Sequence, residues 1–174
     1  GQGWPRFWKR WAQVAGGAAL VSAGSWLMFP DTFIYFGILH GIAAMLILVR
    51  LTAGWGAWLW PLGALAISMK WVAPLVIGAL PSLAFLNQPG WNALGFISEL
   101  PVTEEYAPVL PWLGVVWWGL AAGRWVQTER PRWLSGASVV GVQPLAFLGR
   151  WSLTWYMLHQ PVMIGAFMAV AALR

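Results

Sequence analysis

The 174-residue chain has no cysteine. That excludes a thiolate zinc site, a cysteine nucleophile and a disulfide-stapled secreted module. Charge is scarce as well. Asp, Glu, Lys and Arg make up 9% of the residues, where an average soluble domain has about 25%. There are only five acidic residues, two histidines and three tyrosines. So few polar groups cannot cover the surface of an ordinary cytosolic enzyme. With 60% hydrophobic residues the chain is not disordered either. P-loop, GxGxxG, zinc and serine-elbow signatures are all missing, and no metal is expected. The net charge of +5 does not point to nucleic acid, because its carriers are diluted in apolar sequence.

What is present is long hydrophobic runs and 16 tryptophans. Residues 11–30, 32–49, 51–69, 71–98, 106–123 and 151–173 carry no charged side chain. A helix of about 20 apolar residues crosses the hydrocarbon core of a bilayer. Lys70 interrupts the region 51–98, and the positive-inside rule decides whether that region crosses once or twice. With one crossing, Arg6, Lys9, Arg10, Arg50, Arg124, Arg130, Arg132 and Arg150 share a side, which is eight of the ten basic residues. Asp31, Glu99, Glu104 and Glu105 lie opposite. With two crossings the basic residues split evenly. The sequence therefore predicts an all-α, polytopic membrane helix bundle forming a single domain. Five transmembrane helices fall at about 12–29, 33–49, 55–76, 107–123 and 152–173, with the N-terminus cytoplasmic, and the segment 133–149 is read as a loop or interfacial stretch. Lys70 then snorkels toward the outer side. Tryptophan favours the interface. Trp4, Trp8 and Trp11 are placed before the first span, Trp55, Trp58 and Trp60 at the start of the third, and Trp26 and Trp112 at the outer surface.

Small residues at helical spacing, such as Gly37/Gly41 and Gly119/Gly123, allow close helix packing in lipid. Packing within one bundle is the first reading, and an oligomer face is the alternative. Ionisable groups inside spans suggest function. His40 and His159 are the only histidines. Ser152, Tyr156 and His159 share one helix face, beside Gln160 and Pro161. A loop over 87–106 gathers Asn87, Asn92, Ser98, Glu104, Glu105 and Tyr106 without a basic residue, and favours a neutral or cationic ligand such as an amino sugar. The basic stretch from Arg124 to Arg150 either holds phosphates or simply obeys the positive-inside rule.

Three blocks resemble a known family. They are Phe33-Ile34-Tyr35-Phe36-Gly37-Ile38-Leu39-His40-Gly41-Ile42-Ala43, the stretch from Pro101 through Glu104-Glu105-Tyr106 to Pro111-Trp112-Leu113-Gly114, and Leu148-Gly149-Arg150-Trp151-Ser152 through Tyr156-Met157-Leu158-His159-Gln160-Pro161. Together they resemble bacterial inner-membrane proteins related to heparan-alpha-glucosaminide N-acetyltransferase, within the transmembrane acyltransferases. The resemblance implies a multi-pass protein of the bacterial inner (cytoplasmic) membrane. It implies transfer of an acetyl or other acyl group from cytosolic acetyl-CoA (acyl-CoA) to a sugar or envelope-polymer acceptor. It also implies roles: His159, His40 and Glu105 as catalytic candidates; Tyr156, Gln160, Ser152, Tyr106 and Trp112 lining the acceptor site; Arg150, Arg124, Arg130 and Arg132 on the CoA phosphates. Relatives usually carry Asp where Glu105 stands. They also begin with further helices bearing an Arg-Gly pair and a histidine, so this chain reads as the C-terminal part of such an enzyme. Two other readings compete. One is a bis-His haem or quinone protein ligated through His40 and His159. The other is a non-catalytic transporter or scaffold.

Overall fold

A computed structural model describes residues 3–134 and 142–172. Among them there are helices, 3-10 turns and loops, and no strand. The chain divides into two compact units, Gly1–Pro131 and Arg132–Arg174.

The first unit holds four helices: α1 (Trp4–Met28), α2 (Ile38–Thr52), α3 (Leu59–Ala79) and α4 (Val109–Glu129). α1 starts well before residue 12. Pro5 sits in its first turn, where a missing N–H costs nothing, and no breaker follows until Phe29-Pro30. Trp4, Trp8 and Trp11 therefore lie on the helix rather than ahead of it. α2 starts at Ile38, not at 33. Residues 32–36 run beside residues 103–107 instead, with Glu104 N–H donating to the Thr32 carbonyl and Ala107 N–H to that of Phe36. Their backbone groups are spent between chains of the loop and are lost to a helix. The third predicted span begins late too. Ala53–Trp58 is a 3-10 turn in which Gly56 has φ 57°, a conformation open mainly to glycine. Trp55 and Trp58 belong to this turn. α4 continues past residue 123 through Arg124 to Glu129.

Contacts fix the order α1–α2–α4–α3. α1 and α2 are antiparallel: Arg50 lies over Trp4, Trp11 Nε1 donates to the Ala43 carbonyl, and Ser22 meets His40. α2 and α4 run parallel, through Gly41 on the Ala107 carbonyl and Trp117 Nε1 on Thr52 Oγ1. Met45, Val109 and Leu113 form the core between them. α3 and α4 are antiparallel and approach most closely at Gly63 and Gly114. A Cβ on Gly114 would lie 2.5 Å from the Gly63 carbonyl oxygen, and one on Gly63 would lie 2.3 Å from Trp118. By contrast Gly119 and Gly123 face open space.

This alternation gives the unit two chemically different ends. Arg50 lies over the ring of Trp4 at 4.8 Å, and the Arg124 guanidinium donates to the Ala53 carbonyl. Both mark the basic end, together with Arg6, Lys9 and Arg10 at the start of α1. Asp31, Glu99, Glu104 and Glu105 occupy the loops at the other. The helical stretch Ile38–Ala79 contains an 18-residue window of mean hydropathy 1.7 and is long and apolar enough to cross a membrane. It folds back at Gly56, since α2 runs with α4 and α3 against it.

The second unit contains α5 (Val142–Arg150) and α6 (Ser152–Ala172). α5 is helical where the sequence suggested a loop or interfacial segment. Residues 135–141 lie outside the described residues.

Candidate functional site

Polar side chains of the first unit gather at the acidic end, where the first two family-like blocks meet. Thr103 Oγ1 donates to the Phe33 carbonyl at 2.8 Å. Thr32 Oγ1 donates to Glu104 Oε1 at 2.5 Å. The N-terminus of α2 points into this junction. The Ile38 N–H donates to Glu105 Oε1 at 2.9 Å, a position where a carboxylate also meets the positive end of the helix dipole. Gly37 is required here, because a Cβ would come within 2.9 Å of Glu105 Oε2. Glu105 thus ties the 101–114 block to the first turn of α2.

His40 occupies that first turn, about 3 Å along the axis from Ile38 at 1.5 Å per residue. The predicted span had placed it roughly 10 Å in. Its Nδ1 accepts from the Gly37 N–H at 3.3 Å. Since an amide N–H only donates, the neutral ring carries its hydrogen on Nε2. Nε2 faces Ser22 Oγ at 3.2 Å, and Ser22 passes its own hydrogen to the Ile34 carbonyl at 2.5 Å. Ser25 Oγ then accepts from the Ile34 N–H. Both ring nitrogens are engaged in holding the loop 33–37 against α1.

A second network centres on Asn92, which is 1% exposed. Its Nδ2 donates to Tyr35 Oη at 2.7 Å, and Tyr106 Oη donates to its backbone carbonyl at 2.5 Å. Asn92 Oδ1 has no partner among the described residues. Burial, and to a lesser extent the neighbouring Tyr35, pushes the Tyr106 phenol above its ordinary pKa. Tyr106 lines a cleft of about 350 Å³ with Trp112, Lys70, Ser98, Glu99 and Leu100. Asn87 shapes one wall, its Oδ1 accepting from the N–H groups of Ser98 and Glu99 and its Nδ2 donating to Ser98 Oγ. The acidic loop therefore shares this cleft with a lysine, which its own sequence lacks.

In the second unit, Ser152, Tyr156 and His159 share α6. His159 Nδ1 lies 2.5 Å from the Tyr156 carbonyl. A carbonyl only accepts, so the neutral ring has its hydrogen on Nδ1 and its lone pair on Nε2. The Tyr156 and His159 rings are 5.5 Å apart. The Gln160 side chain lies outside the described residues. Arg124 and Arg130 belong to the first unit, Arg132 and Arg150 to the second.

Of the residues singled out in the sequence, Ser98, Tyr106 and Trp112 line this cleft; Ser22 and Tyr35 as partners and Lys70 as a cleft residue were missed. Ser22 was hidden in a run of small residues. Tyr35 was expected inside a span.

An all-α chain with a membrane-length apolar stretch, polar groups collected at one end and basic residues at the other is built like a helical membrane enzyme. The model of the heparan-alpha-glucosaminide N-acetyltransferase catalytic family matches residues 1–161, and the chain belongs to that family of acetyltransferase-type membrane proteins. No curated protein and no solved structure matches it.

Proposed function

We infer that the protein is a membrane-embedded acyltransferase that moves an acetyl group from cytosolic acetyl-CoA to a sugar or envelope-glycan acceptor across a bacterial inner membrane. Membership of the family over residues 1–161 carries this reading. In it the helices pass through the bilayer several times, with the basic end inside, as the positive-inside rule requires.

The reaction joins an acceptor amine or hydroxyl to the thioester carbonyl. The new C–N or C–O bond forms, the C–S bond breaks, and the acceptor proton passes through a base to the leaving thiolate. Of the two histidines, His159 is the better base. The Tyr156 carbonyl holds its Nδ1 hydrogen and leaves the Nε2 lone pair to accept. The corresponding lone pair of His40 is spent on the Gly37 N–H, so His40 acts as a positioning residue, with Glu105 supporting the same helix end. Tyr106 and Trp112 serve the acceptor side, as do Ser152, Tyr156 and Gln160. Arg124, Arg130, Arg132 and Arg150 supply guanidinium groups suited to the CoA phosphates.

The same occupancy of His40 speaks against bis-His haem ligation, which needs a free ring nitrogen on each histidine. A transporter or scaffold predicts no acetyl-CoA chemistry at all. The test is acetyl transfer from radiolabelled acetyl-CoA by the full-length protein in proteoliposomes. His159→Ala should lower turnover by at least about a hundredfold, the lower range for general-base catalysis. His159→Ala at wild-type turnover would remove His159 from the chemistry, and no transfer to any glycan acceptor would refute the reading.

A further inference from the structure

Lys70 is the one charged residue between Arg50 and Glu99. It lies nine residues before the end of α3 at Ala79, roughly 14 Å inside that end at 1.5 Å per residue. No carboxylate pairs with it among the described residues. Its closest recorded partner is the ring of Trp71, with Nζ 5.9 Å from the centroid. An ammonium set this far into an apolar helix is costly unless an anion meets it. The proton step proposed above makes no use of it.

The cleft beside Lys70 carries a second charge. Glu99 lines the same cleft, and Asn87 fixes its backbone and that of Ser98. Gly95 closes the floor against the Leu110 carbonyl, so tightly that no side chain fits there. At about 350 Å³ the space is at the small end of ligand sites, which run from about 300 to 1,000 Å³. It suits a small headgroup bearing one anion and one cation. Much of the lining is apolar, from Pro74, Ile97, Leu100, Pro108 and Leu110, and Leu100 is 82% exposed. A soluble zwitterion would leave that lining uncovered.

We propose that this cleft binds an amphiphile whose headgroup carries both a phosphate and a primary amine, such as an ethanolamine phospholipid. The phosphate lies on Lys70, the amine on Glu99 and Ser98, and the chains on the exposed face of α3. The proposal rests on the membrane reading above and makes the ligand of the Tyr106–Trp112 side lipid-borne.

The test is equilibrium binding to the detergent-solubilised full-length protein without acetyl-CoA, read by native mass spectrometry. Short-chain phosphatidylethanolamine, phosphatidylglycerol and phosphatidylcholine are compared with soluble phosphoethanolamine. Phosphatidylethanolamine should bind most tightly. Lys70→Gln and Glu99→Gln should each weaken it by about tenfold or more, the loss of one charge-assisted contact, and Lys70→Arg should retain it. Both side chains are exposed, and unchanged melting of each variant checks the fold. Equal binding of phosphatidylglycerol would overturn the amine contact. Equal binding of phosphoethanolamine would overturn the amphiphile, and indifference to Lys70 would overturn the site. Acetyl transfer is not read here, so an active enzyme with no lipid preference sinks this proposal alone. A lipid binder without transferase activity sinks the other.

Discussion

Tyr106 shows how one side chain ties loop, core and pH response together. Its hydroxyl donates to the carbonyl of buried Asn92, and its phenol is held above the usual pKa chiefly by burial. A raised folded-state pKa means that the unfolded chain releases the proton first. The neutral phenol therefore contributes its full stability below about pH 10 and loses it as pH rises further. Tyr106→Phe should lower stability near neutral pH by about 1–3 kcal/mol, the cost of a buried carbonyl left without its donor. It should also flatten the alkaline fall in melting temperature. A steeper alkaline fall in the Phe variant would contradict this account. Glycines make a second residue-scale contrast. Gly114→Ala drives a Cβ into the Gly63 carbonyl and should destabilise by about 1–3 kcal/mol as overpacking. Gly119→Ala meets nothing and should be neutral or stabilising by up to about 1 kcal/mol through helix propensity. Paired thermal melts of the two variants decide it, and equal shifts would mean that α3 and α4 do not meet at Gly63 and Gly114.

Among the elements, α2 carries the most chemistry per turn, and it also shows what a sequence can and cannot disclose. The hydrophobic run 32–49 announced a helix, and its C-terminal part is one. Its first residues are as apolar as the rest, so composition could not reveal that they pair with 103–107. That choice depends on a segment some seventy residues away, and on Gly37 alone being small enough to admit the Glu105 carboxylate. The two histidines differed in sequence only by the polar stripe around His159, and the partner on each ring nitrogen was not legible there. Tyr106, by contrast, stood out in the sequence, because a loop rich in Asn, Ser and Glu between two spans has no hydrophobic reason to exist, whereas Trp112 lies at the start of α4. The element-level prediction concerns Glu105. Glu105→Ala removes the acceptor from Ile38 and should cost about 1 kcal/mol, as helix N-terminal contacts do. Glu105→Gln keeps an oxygen there and should recover most of that loss. Acetyl transfer should follow the same order if Glu105 works by holding α2. A Gln variant that melts normally yet is as inactive as the Ala variant would instead make the carboxylate itself a proton carrier.

For the whole molecule, the separation of charge in the first unit is the property on which the membrane reading stands. It arises from antiparallel packing of α1 on α2 and of α3 on α4, which sends every connection to one of two ends. Arg6, Lys9, Arg10, Arg50 and Arg124 reach one end, and Asp31, Glu99, Glu104 and Glu105 the other. α1 and α3 measure about 38 and 32 Å at 1.5 Å per residue, and α4, regular from Pro111 on, about 28 Å, against a hydrocarbon core of roughly 30 Å. α2, at about 22 Å, falls short alone, and the extended residues 33–37 make up the distance while their backbone groups are satisfied by 103–107 and α1. Irregular backbone at such depth is tolerated where protein covers it. These 174 residues hold no cysteine, so single cysteines placed among them, in a background with any cysteine elsewhere replaced by serine, give a direct topological test. Val102→Cys lies in the acidic-end loop and Gln127→Cys near the basic end of α4, both at exposed positions. In intact bacterial cells with a permeable outer membrane, a membrane-impermeant maleimide should label Val102→Cys at once. It should label Gln127→Cys only after the inner membrane is opened. Labelling of both from outside, or of neither until lysis, would put the two ends on one side. The charge separation would then belong to a protein that does not cross the bilayer in the manner the positive-inside rule demands.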